Sequence, residues 1–339
     1  MKFKIKNPWT ANIVDLLAKQ LATEVAEDCQ RKSISIPAKY GKGVILSYTI
    51  SDAIDALLFS GELKNKWELQ FNKLDQAPVS FFTAAKGAFS CNHSHKKVEA
   101  LSLEPLQSAI YVAPVRGQRT WTFPKGENIL FLALNIRKQV FFQDINCETL
   151  DVSEELLEVL TDLRGKQNFR FDDIFYLPIV DALSEIREQQ DNGLLHSTFA
   201  SSKLYEIMFL QLQQYQQKDH RAYGKTTKPD QGVALVRNAE SILMSRIQDP
   251  PTIPELAKMV GINQQALKKG FKQLYGTTMR QYLNKERLKQ AEVLIMNGQL
   301  KLREVALEVG YSNPSHFSRR FKEKYGVSPK YYAQQMQAQ

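Results

Sequence analysis

The sequence is poor in the features that mark membrane proteins, secreted proteins and several enzyme classes. Its longest unbroken apolar run has six residues, Ile129 to Leu134, whereas a membrane span needs about 18. Its three cysteines, Cys29, Cys91 and Cys147, cannot all pair, which favours a reducing compartment over a disulfide scaffold. It has no glycine-rich phosphate loop, no nucleophile-elbow serine and no CxxC pair. These absences exclude a membrane span and give no support to P-loop, α/β-hydrolase or thiol-redox chemistry.

The amino terminus does not have the pattern of an export signal. Met1 to Lys6 is basic, but Asn7, Pro8 and Thr10 follow where a signal peptide needs an apolar stretch. We therefore expect a cytoplasmic protein that does not associate with a membrane.

The net positive charge of the chain is confined to its last third. Of the 339 residues, 45 are Lys or Arg and 36 are Asp or Glu, and residues 226–339 hold 18 of the basic and 9 of the acidic groups. Residues 1–225 therefore hold 27 of each sign and are neutral overall. A basic surface restricted to one domain predicts a polyanionic partner, with nucleic acid the first candidate. A solvated basic helical surface is the alternative.

The pattern along the chain predicts two domains of different class. Short β-rich runs from 41 to 137, separated by Gly, Pro, Asn and Asp, predict a sandwich or small barrel. From about 140 to 217 the apolar residues follow a helical period, and one stripe contains Leu204, Ile207, Met208 and Leu212. A polar, aperiodic segment around 219–232 predicts a linker. We expect an α+β chain with domains at 1–220 and 233–335 and a linker at 221–232.

An internal repeat organises the basic region. Leu256-Ala257 with Gly261 recurs 49 residues later as Val305-Ala306 with Gly310, and Leu267, Phe271 and Gly276 recur 50 residues later as Phe317, Phe321 and Gly326. Each copy predicts a short helix, a glycine-containing turn and a second helix, with Asn263 or Asn313 as the N-cap of that second helix. Two copies with matched apolar positions predict two helix-turn-helix units in an all-α domain.

The second helix of such a unit lies in the major groove of DNA, where its first exposed residues face base edges. Gln suits adenine, Arg and Lys suit guanine, and side chains further along the helix reach phosphates. The predicted base-contacting residues are Gln264, Gln265, Lys268, Lys269, Ser315, His316, Ser318 and Arg319. The predicted phosphate-contacting residues are Lys272, Arg320 and Lys322. Each position alone also fits a solvated surface, but the set favours DNA.

The segment between the two units, Thr278 to Asn297, predicts a single helix with its own apolar face. About 20 residues at 1.5 Å each span roughly 30 Å, close to the pitch of about 34 Å of B-DNA. One chain would then place two helices in successive major grooves. The predicted target is an asymmetric element of two short boxes about one turn apart.

Two groups of motifs in this region match a known family. The first half has Leu256-Ala257, Gly261, Phe271-Lys272, Gly276 and Arg287-Leu288, and the second half has Val305-Ala306, Val309-Gly310-Tyr311-Ser312, His316-Phe317-Ser318-Arg319, Phe321-Lys322 and Tyr325-Gly326-Val327-Ser328-Pro329. Residues 233–335 thereby resemble the DNA-binding domain of AraC/XylS-type bacterial transcription regulators. The resemblance implies seven helices, base contacts at the positions predicted above, and RNA polymerase as a partner.

Two positions depart from the family pattern. Lys268-Lys-Gly-Phe271 is similar to the branch of siderophore-responsive regulators, and Pro314 stands where the family often has a base-reading polar side chain. The resemblance also implies a cupin-like β-barrel sensor and a helical dimerisation segment in residues 1–220. A homodimer joined by the helix from Leu204 to Tyr215 follows from that implication.

A short motif in the predicted barrel resembles the first metal-binding motif of cupins. It is Gly87-x5-His93-x-His95-x3-Glu99, so His93, His95 and Glu99 are candidate metal ligands, with Cys91 on the same predicted strand face. The second cupin motif lacks its histidine, because Ile129 stands at that position. A polar strand end without a metal is the alternative, and we expect no cofactor.

Aromatic residues of the predicted barrel are candidates for an effector pocket. The selected residues are Phe81, Tyr111, Trp121 and Phe123, and plain core is the alternative. Candidate effectors are a sugar, an aromatic acid, a fatty acid or a metal chelate such as a ferric siderophore. The leading hypothesis is a regulator controlled by a small molecule and without enzymatic activity. The alternatives are a cupin-type metalloenzyme fused to a DNA-binding domain and an effector-independent DNA-binding protein.

Overall fold

The structure is a computed structural model that describes residues 1–5, 12–71, 76–96, 98–144, 153–174, 178–189, 192–216 and 229–337. The chain divides into an N-terminal unit, Met1–Ala222, and a C-terminal unit, Tyr223–Gln339. Cys147 and residues 217–228 of the expected linker region lie outside the described residues. Cys29 is exposed, Cys91 is buried, and both are free thiols. In the part of the chain that is described, no helix is both long enough and apolar enough to span a membrane.

The described part of the N-terminal unit contains thirteen strands in two sheets. The strands are β1 (Lys2–Ile5), β2 (Ala26–Asp28), β3 (Arg31–Ser35), β4 (Gly41–Thr49), β5 (Ile54–Leu63), β6 (Trp67–Phe71), β7 (Val79–Lys86), β8 (Phe89–His93), β9 (Leu101–Leu103), β10 (Gln107–Val112), β11 (Arg119–Phe123), β12 (Asn128–Ile136) and β13 (Phe169–Ile174). One sheet has the order β1-β6-β11-β8-β9, and the other has the order β13-β10-β7-β12-β5-β4-β3-β2. The pairing of β1 with β6 is parallel, and the other ladders are antiparallel.

Five helices accompany these sheets in the described residues. They are α1 (Asn12–Leu21), α2 (Lys138–Asp144), α3 (Glu154–Thr161), α4 (Pro178–Glu188) and α5 (Gly193–Gln216). One hydrophobic core contains residues of both sheets and of α1. A second core joins the other face of the eight-stranded sheet to α3, α4 and α5. The eight-stranded sheet is therefore covered on both faces.

Burial on both faces explains why apolar residues occupy neighbouring positions in β7 and β12. Neighbouring residues of a strand point to opposite faces, and seven of the eight residues of β7 and eight of the nine of β12 are buried. The side chains of Phe82 and Phe131 enter the core between the sheets, and those of Phe81 and Leu132 enter the core beneath the helices.

The two-domain α+β expectation is confirmed, with corrections to its N-terminal part. Strands begin at Lys2 rather than near 41, and β13 lies inside the segment 140–217 that was predicted to be helical. In the described residues the two sheets keep free edges and do not close into a barrel. β13 does not follow the helical period, because its Phe169-Arg-Phe171 alternation is that of a strand, and it pairs with β10 as an edge strand of the eight-stranded sheet.

Seven helices form the described part of the C-terminal unit, as the resemblance implied. They are α6 (Pro229–Ser245), α7 (Ile253–Val260), α8 (Gln264–Tyr275), α9 (Met279–Asn297), α10 (Leu302–Glu308), α11 (Pro314–Tyr325) and α12 (Pro329–Gln337). Helix α6 begins four residues before the expected domain start at 233. Proline tolerates the first turn of a helix, where the missing N–H has no intrahelical partner, so Pro229 starts α6.

Candidate nucleic-acid interface

The first helix-turn-helix unit consists of α7, a turn and α8. Gly261 ends α7 with φ of 78°, a left-handed conformation that glycine adopts without steric cost. Two residues later, the Oδ1 of Asn263 accepts a hydrogen bond of 2.8 Å from the backbone N–H of Ala266. This cap fixes the start of α8, so the exposed Gln264 and Gln265 occupy its first turn.

The second unit repeats this design with α10, a turn and α11. The Oδ1 of Asn313 accepts hydrogen bonds from the N–H groups of Ser315 at 2.8 Å and His316 at 3.2 Å. Pro314 occupies the first helical position, where no N–H is needed. Its exposed ring cannot read a base by hydrogen bonding, so the polar surface of α11 begins at Ser315.

All the predicted base-contacting residues are exposed. On α8 these are Gln264, Gln265, Lys268 and Lys269, and on α11 they are Ser315, His316, Ser318 and Arg319. The buried side of each helix carries the repeated apolar residues, with Leu267 and Phe271 in α8 and Phe317 and Phe321 in α11 at 1% exposure or less. Each second helix therefore presents a polar face opposite its core.

The predicted phosphate-contacting residues differ in their surroundings. Lys272 and Lys322 are exposed, whereas Arg320 is half-buried and its Nη1 donates to Glu323 Oε2 at 2.7 Å. The Nε of Arg319 lies 4.0 Å from Glu323 Oε1. Exposed ion pairs of this kind stabilise a fold by at most about 1 kcal/mol. The ion pairs with Glu323 therefore contribute little to the stability of the fold.

A single helix, α9, links the two units. It has 19 residues and is about 28 Å long at 1.5 Å per residue. Thr278 caps its start through its side chain, and Gly298 ends it with φ of 66°. Near its start Tyr282 packs edge-on against Phe271 at 5.4 Å, while Leu288, Ala291 and Ile295 belong to the core of the second unit. Both cores are thus built on one helix.

Arg287 of α9 is a structural residue whose role the sequence motif did not reveal. Its Nε and Nη2 donate to the carbonyl of Ile247 at 2.9 and 2.6 Å, and Nη2 also donates to Gln248 at 3.1 Å. Its guanidinium lies 5.7 Å from the ring centre of Tyr311. A Cβ on Gly310 would approach Nη2 to 2.5 Å, which explains the glycine in the second turn. Arg287 therefore joins the segment after α6 to that turn.

The candidate metal ligands of the N-terminal unit do not come together. His93 ends β8, and His95 lies in the following turn, so strand alternation does not align the two side chains. Their ring centres are 6.4 Å apart, and Glu99 is 86% exposed and faces Arg170 at 3.8 Å. Burial, with the charge of Arg119, lowers the pKa of His93. Among the described residues, no group of three or more His, Cys, Asp or Glu is arranged to hold a metal ion.

The four candidate pocket residues do not share one site. Tyr111, Trp121 and Phe123 lie in the core between the sheets, whereas Phe81 lies in the other core, beneath the helices. Phe81 does not belong with the other three, because neighbours in a strand point to opposite faces and it is Phe82 that enters the core between the sheets. Phe82 packs edge-on against Trp121 at 5.3 Å.

Comparison with known proteins gives a domain match in the C-terminal unit. The family described as helix-turn-helix domain matches residues 256–335. The transcriptional regulator AlkR of Acinetobacter baylyi is 32% identical over 98 residues, which cover 29% of this chain and 32% of that protein. The transcriptional activator RhaR of Escherichia coli is 23% identical over 151 residues, which cover 44% of this chain and 53% of that protein. The matches thus span about a third to a half of these curated relatives.

A crystal structure of a transcriptional regulator from Chromobacterium violaceum, described as containing an AraC-type DNA-binding domain, is also similar. It is 25% identical, covers 30% of this chain and 92% of that chain, and has a TM-score of 0.29.

Proposed function

We propose that this chain is a DNA-binding transcription regulator of the AraC type, because residues 256–335 match a helix-turn-helix domain family and the similar proteins AlkR and RhaR are transcription regulators. The observation that carries the proposal is the pair of capped second helices, α8 and α11, with exposed polar faces and a shared spacer helix. Helices α8 and α11 lie in residues 226–339, the part of the chain that holds all the excess positive charge. Such a regulator works where the chromosome is, in the bacterial cytoplasm.

The two second helices read bases, and the lysines further along them bind phosphates. The proposed base contacts are those of Gln264, Gln265, Lys268, Lys269, Ser315, His316, Ser318 and Arg319. Lys272, Arg320 and Lys322 supply sequence-independent affinity. The length of α9, about 28 Å, sets the two helices for major grooves about one turn apart.

Selection of bound sequences from a random DNA pool, followed by footprinting, tests this proposal. We expect two short protected boxes about one helical turn apart. Lys269→Ala combined with Arg319→Ala weakens specific binding by about 1–3 kcal/mol for each of the two substituted side chains. Arg237→Ala is the matched control, because Arg237 is an exposed cation of α6, outside both units. An unchanged footprint in the double variant would show that α8 and α11 do not read DNA.

Control by a small molecule and dimerisation through α5 complete the proposed function. Leu204 and Ile207 of α5 are fully buried in the unit's own core, so the predicted stripe is internal. The other side of the helix exposes Leu195 by 72%, Tyr205 by 42% and Phe209 by 57%. At about 100° per residue these three lie within about 80° around the axis. An exposed apolar face of this kind suits a second copy of the same helix.

The molecular mass in solution tests the dimer. We expect a dimer for the natural sequence and a monomer for Phe209→Glu, measured by sedimentation. Met259→Glu, at an exposed apolar position of α7, is the control and stays dimeric. Equal masses for the natural sequence and Phe209→Glu would exclude this face of α5 as the interface.

A further inference from the structure

The inner face of the eight-stranded sheet carries a row of polar side chains. Asp55, Asn135, Ser80 and Tyr111 are successive cross-strand partners on β5, β12, β7 and β10. The Ser80 hydroxyl donates to Asn135 Oδ1 at 2.8 Å, and Asn135 Nδ2 donates to Asp55 Oδ1 at 3.1 Å. The three form a hydrogen-bonded chain in an otherwise apolar core. Tyr111 continues the row without joining the chain.

The hydroxyl of Tyr111 is buried, and its one polar neighbour is the thiol of Cys91, a weak hydrogen-bonding group. Tyr111 is 2% exposed, and among the described residues its Oη makes no hydrogen bond to a nitrogen or oxygen atom. Buried tyrosine hydroxyls are ordinarily bonded. Cys91, fully buried, lies beside it, and burial raises the pKa of its thiol to about 11 and also raises the pKa of Tyr111. Both groups are therefore neutral at pH 7 and supply no negative charge.

Arg119 enters the same interior from the facing sheet. It lies on β11, directly across from His93 on β8, and on the same face as Trp121 and Phe123. It is 5% exposed, its Nη2 donates to the carbonyl of Ala113 at 2.5 Å, and its Nε has no partner. The acidic groups near its guanidinium are the Cys91 thiol and the Tyr111 hydroxyl, and both are neutral at pH 7. Within the described residues, this buried cation makes no ion pair with a carboxylate.

A second arginine in the molecule shows what a purely structural arginine does. Arg287 is half-buried, and its Nε and Nη2 both donate to backbone carbonyls. Arg119 is far more buried but satisfies its guanidinium less well. Burying a charge without an opposite charge costs much of its hydration energy. The Nε–H of Arg119 can therefore still donate a hydrogen bond to an anionic ligand.

We propose that Arg119 and Tyr111 form the anion-binding end of a ligand site between the two sheets, and that its ligand is a small organic carboxylate. The carboxylate accepts hydrogen bonds from the Nε of Arg119 and the hydroxyl of Tyr111. A charge-assisted hydrogen bond to a guanidinium is among the stronger contacts in a protein interior. The inference rests on the proposed function, since it gives the chemical class of the small-molecule effector.

The surroundings of Arg119 suit an apolar body on this anion. Trp121, two residues along β11, packs against Phe71 at 4.6 Å and against Phe82 at 5.3 Å. An aromatic ring or a short alkyl chain matches such walls.

Melting of the full chain in the presence of paired probes tests the proposal. The probes are benzoate and octanoate, each compared with its neutral amide, because the amide keeps the shape and loses the charge. We expect both carboxylates to raise the melting temperature of the natural sequence and the amides to have little effect. Equal stabilisation by the amides, or no stabilisation by either carboxylate, overturns the proposal.

Three variants assign the effect to residues. Arg119→Gln abolishes the stabilisation by carboxylates, whereas Arg116→Gln, at an exposed arginine of the neighbouring segment, retains it. Tyr111→Phe removes a hydroxyl whose one polar neighbour is the Cys91 thiol, so it folds as the natural chain does and weakens the carboxylate Kd about tenfold, as measured by calorimetry. A carboxylate response that survives both Arg119→Gln and Tyr111→Phe overturns the assignment.

Footprinting of the same proteins separates this inference from the proposed function. If DNA is bound and carboxylates are not, the ligand class is wrong and the DNA-binding role stands. If carboxylates bind and no specific DNA site is found, the regulator proposal fails while the anion site stands.

Discussion

The two units of the chain place their charges in opposite ways. The N-terminal unit has almost no net charge but buries Arg119, Lys138 and Asp55 within its sheets and helices. The C-terminal unit carries the excess positive charge and exposes nearly all of it, with Arg287 as a half-buried exception. Exposed positive charge is accessible to a large polyanion, whereas a buried charge contacts only a small ligand that enters the core. Net charge therefore indicates the proposed DNA-binding function and gives no sign of the proposed interior site.

The largest expected effect concerns the buried acid of the N-terminal unit. Burial raises the pKa of Asp55 to about 7, against the hydrogen bond from Asn135 and the charge of Arg137. The folded chain then keeps a proton on Asp55 that the unfolded chain releases near pH 4. The free energy of unfolding therefore has its full contribution from protonated Asp55 below pH 4 and loses it as the pH rises to 7. At about 1.4 kcal/mol per pKa unit the loss approaches roughly 4 kcal/mol.

Tryptophan fluorescence follows this transition, because all three tryptophans lie in residues 1–222. We expect the melting temperature of the natural chain to fall between pH 5 and pH 8 relative to that of Asp55→Asn. Parallel pH profiles for the two proteins would contradict a buried protonated Asp55.

A smaller effect contrasts the two arginines. Arg287→Met leaves the carbonyls of Ile247 and Gln248 without their donor and lowers the free energy of unfolding of the C-terminal unit by about 2–3 kcal/mol. Arg119→Met removes one donor from the carbonyl of Ala113 but also removes a buried cation that has no carboxylate partner, so we expect a clearly smaller loss than for Arg287→Met. Circular dichroism of the helices and tryptophan fluorescence report on the two variants. A large loss for Arg119→Met would make Arg119 a structural residue like Arg287.

The smallest expected effect concerns the C-terminal unit, where the uncharged side chains of Asn263 and Asn313 cap the N-termini of α8 and α11. Asn313→Ala removes the acceptor of two N–H groups and Asn263→Ala that of one, so we expect losses of about 1–2 and about 0.5–1 kcal/mol. Thermal unfolding measures both, and Asn313→Asp is the control that keeps a capping oxygen. Equal losses would show that the second hydrogen bond to Asn313 contributes nothing.

The sequence predicted best where the contacts are local. The caps, the turn glycines and the apolar stripes of α8 and α11 are set by neighbours three or four residues away, and all appear in the structure. β1 was missed because its four residues gain a partner only by parallel pairing with β6, more than 60 residues later. Pairing over such a distance leaves no local pattern.

The proposed interior site was not predicted from the sequence, for a different reason. Arg119, Trp121 and Phe123 alternate along β11, so the period of two already assigned Arg119 to the inner face. The aromatic residues were weighed as pocket or core without the charged residue that shares their face. A cation at an inward strand position was the signal that could have found the site. The choice of Phe81 failed because an apolar residue on a strand covered on both faces does not reveal which face it takes.

Both helix-turn-helix units are built on the same α9, which fixes their relative orientation. One inserted residue in this helix advances the second unit by about 1.5 Å and rotates it by about 100°. In the proposed complex with DNA, that rotation turns α11 away from the groove next to the one that α8 occupies. Insertions or deletions of three or four residues, close to a full turn, nearly restore the orientation. On this proposal, we expect the distance between the two boxes of the target to change with the length of α9 in discrete steps.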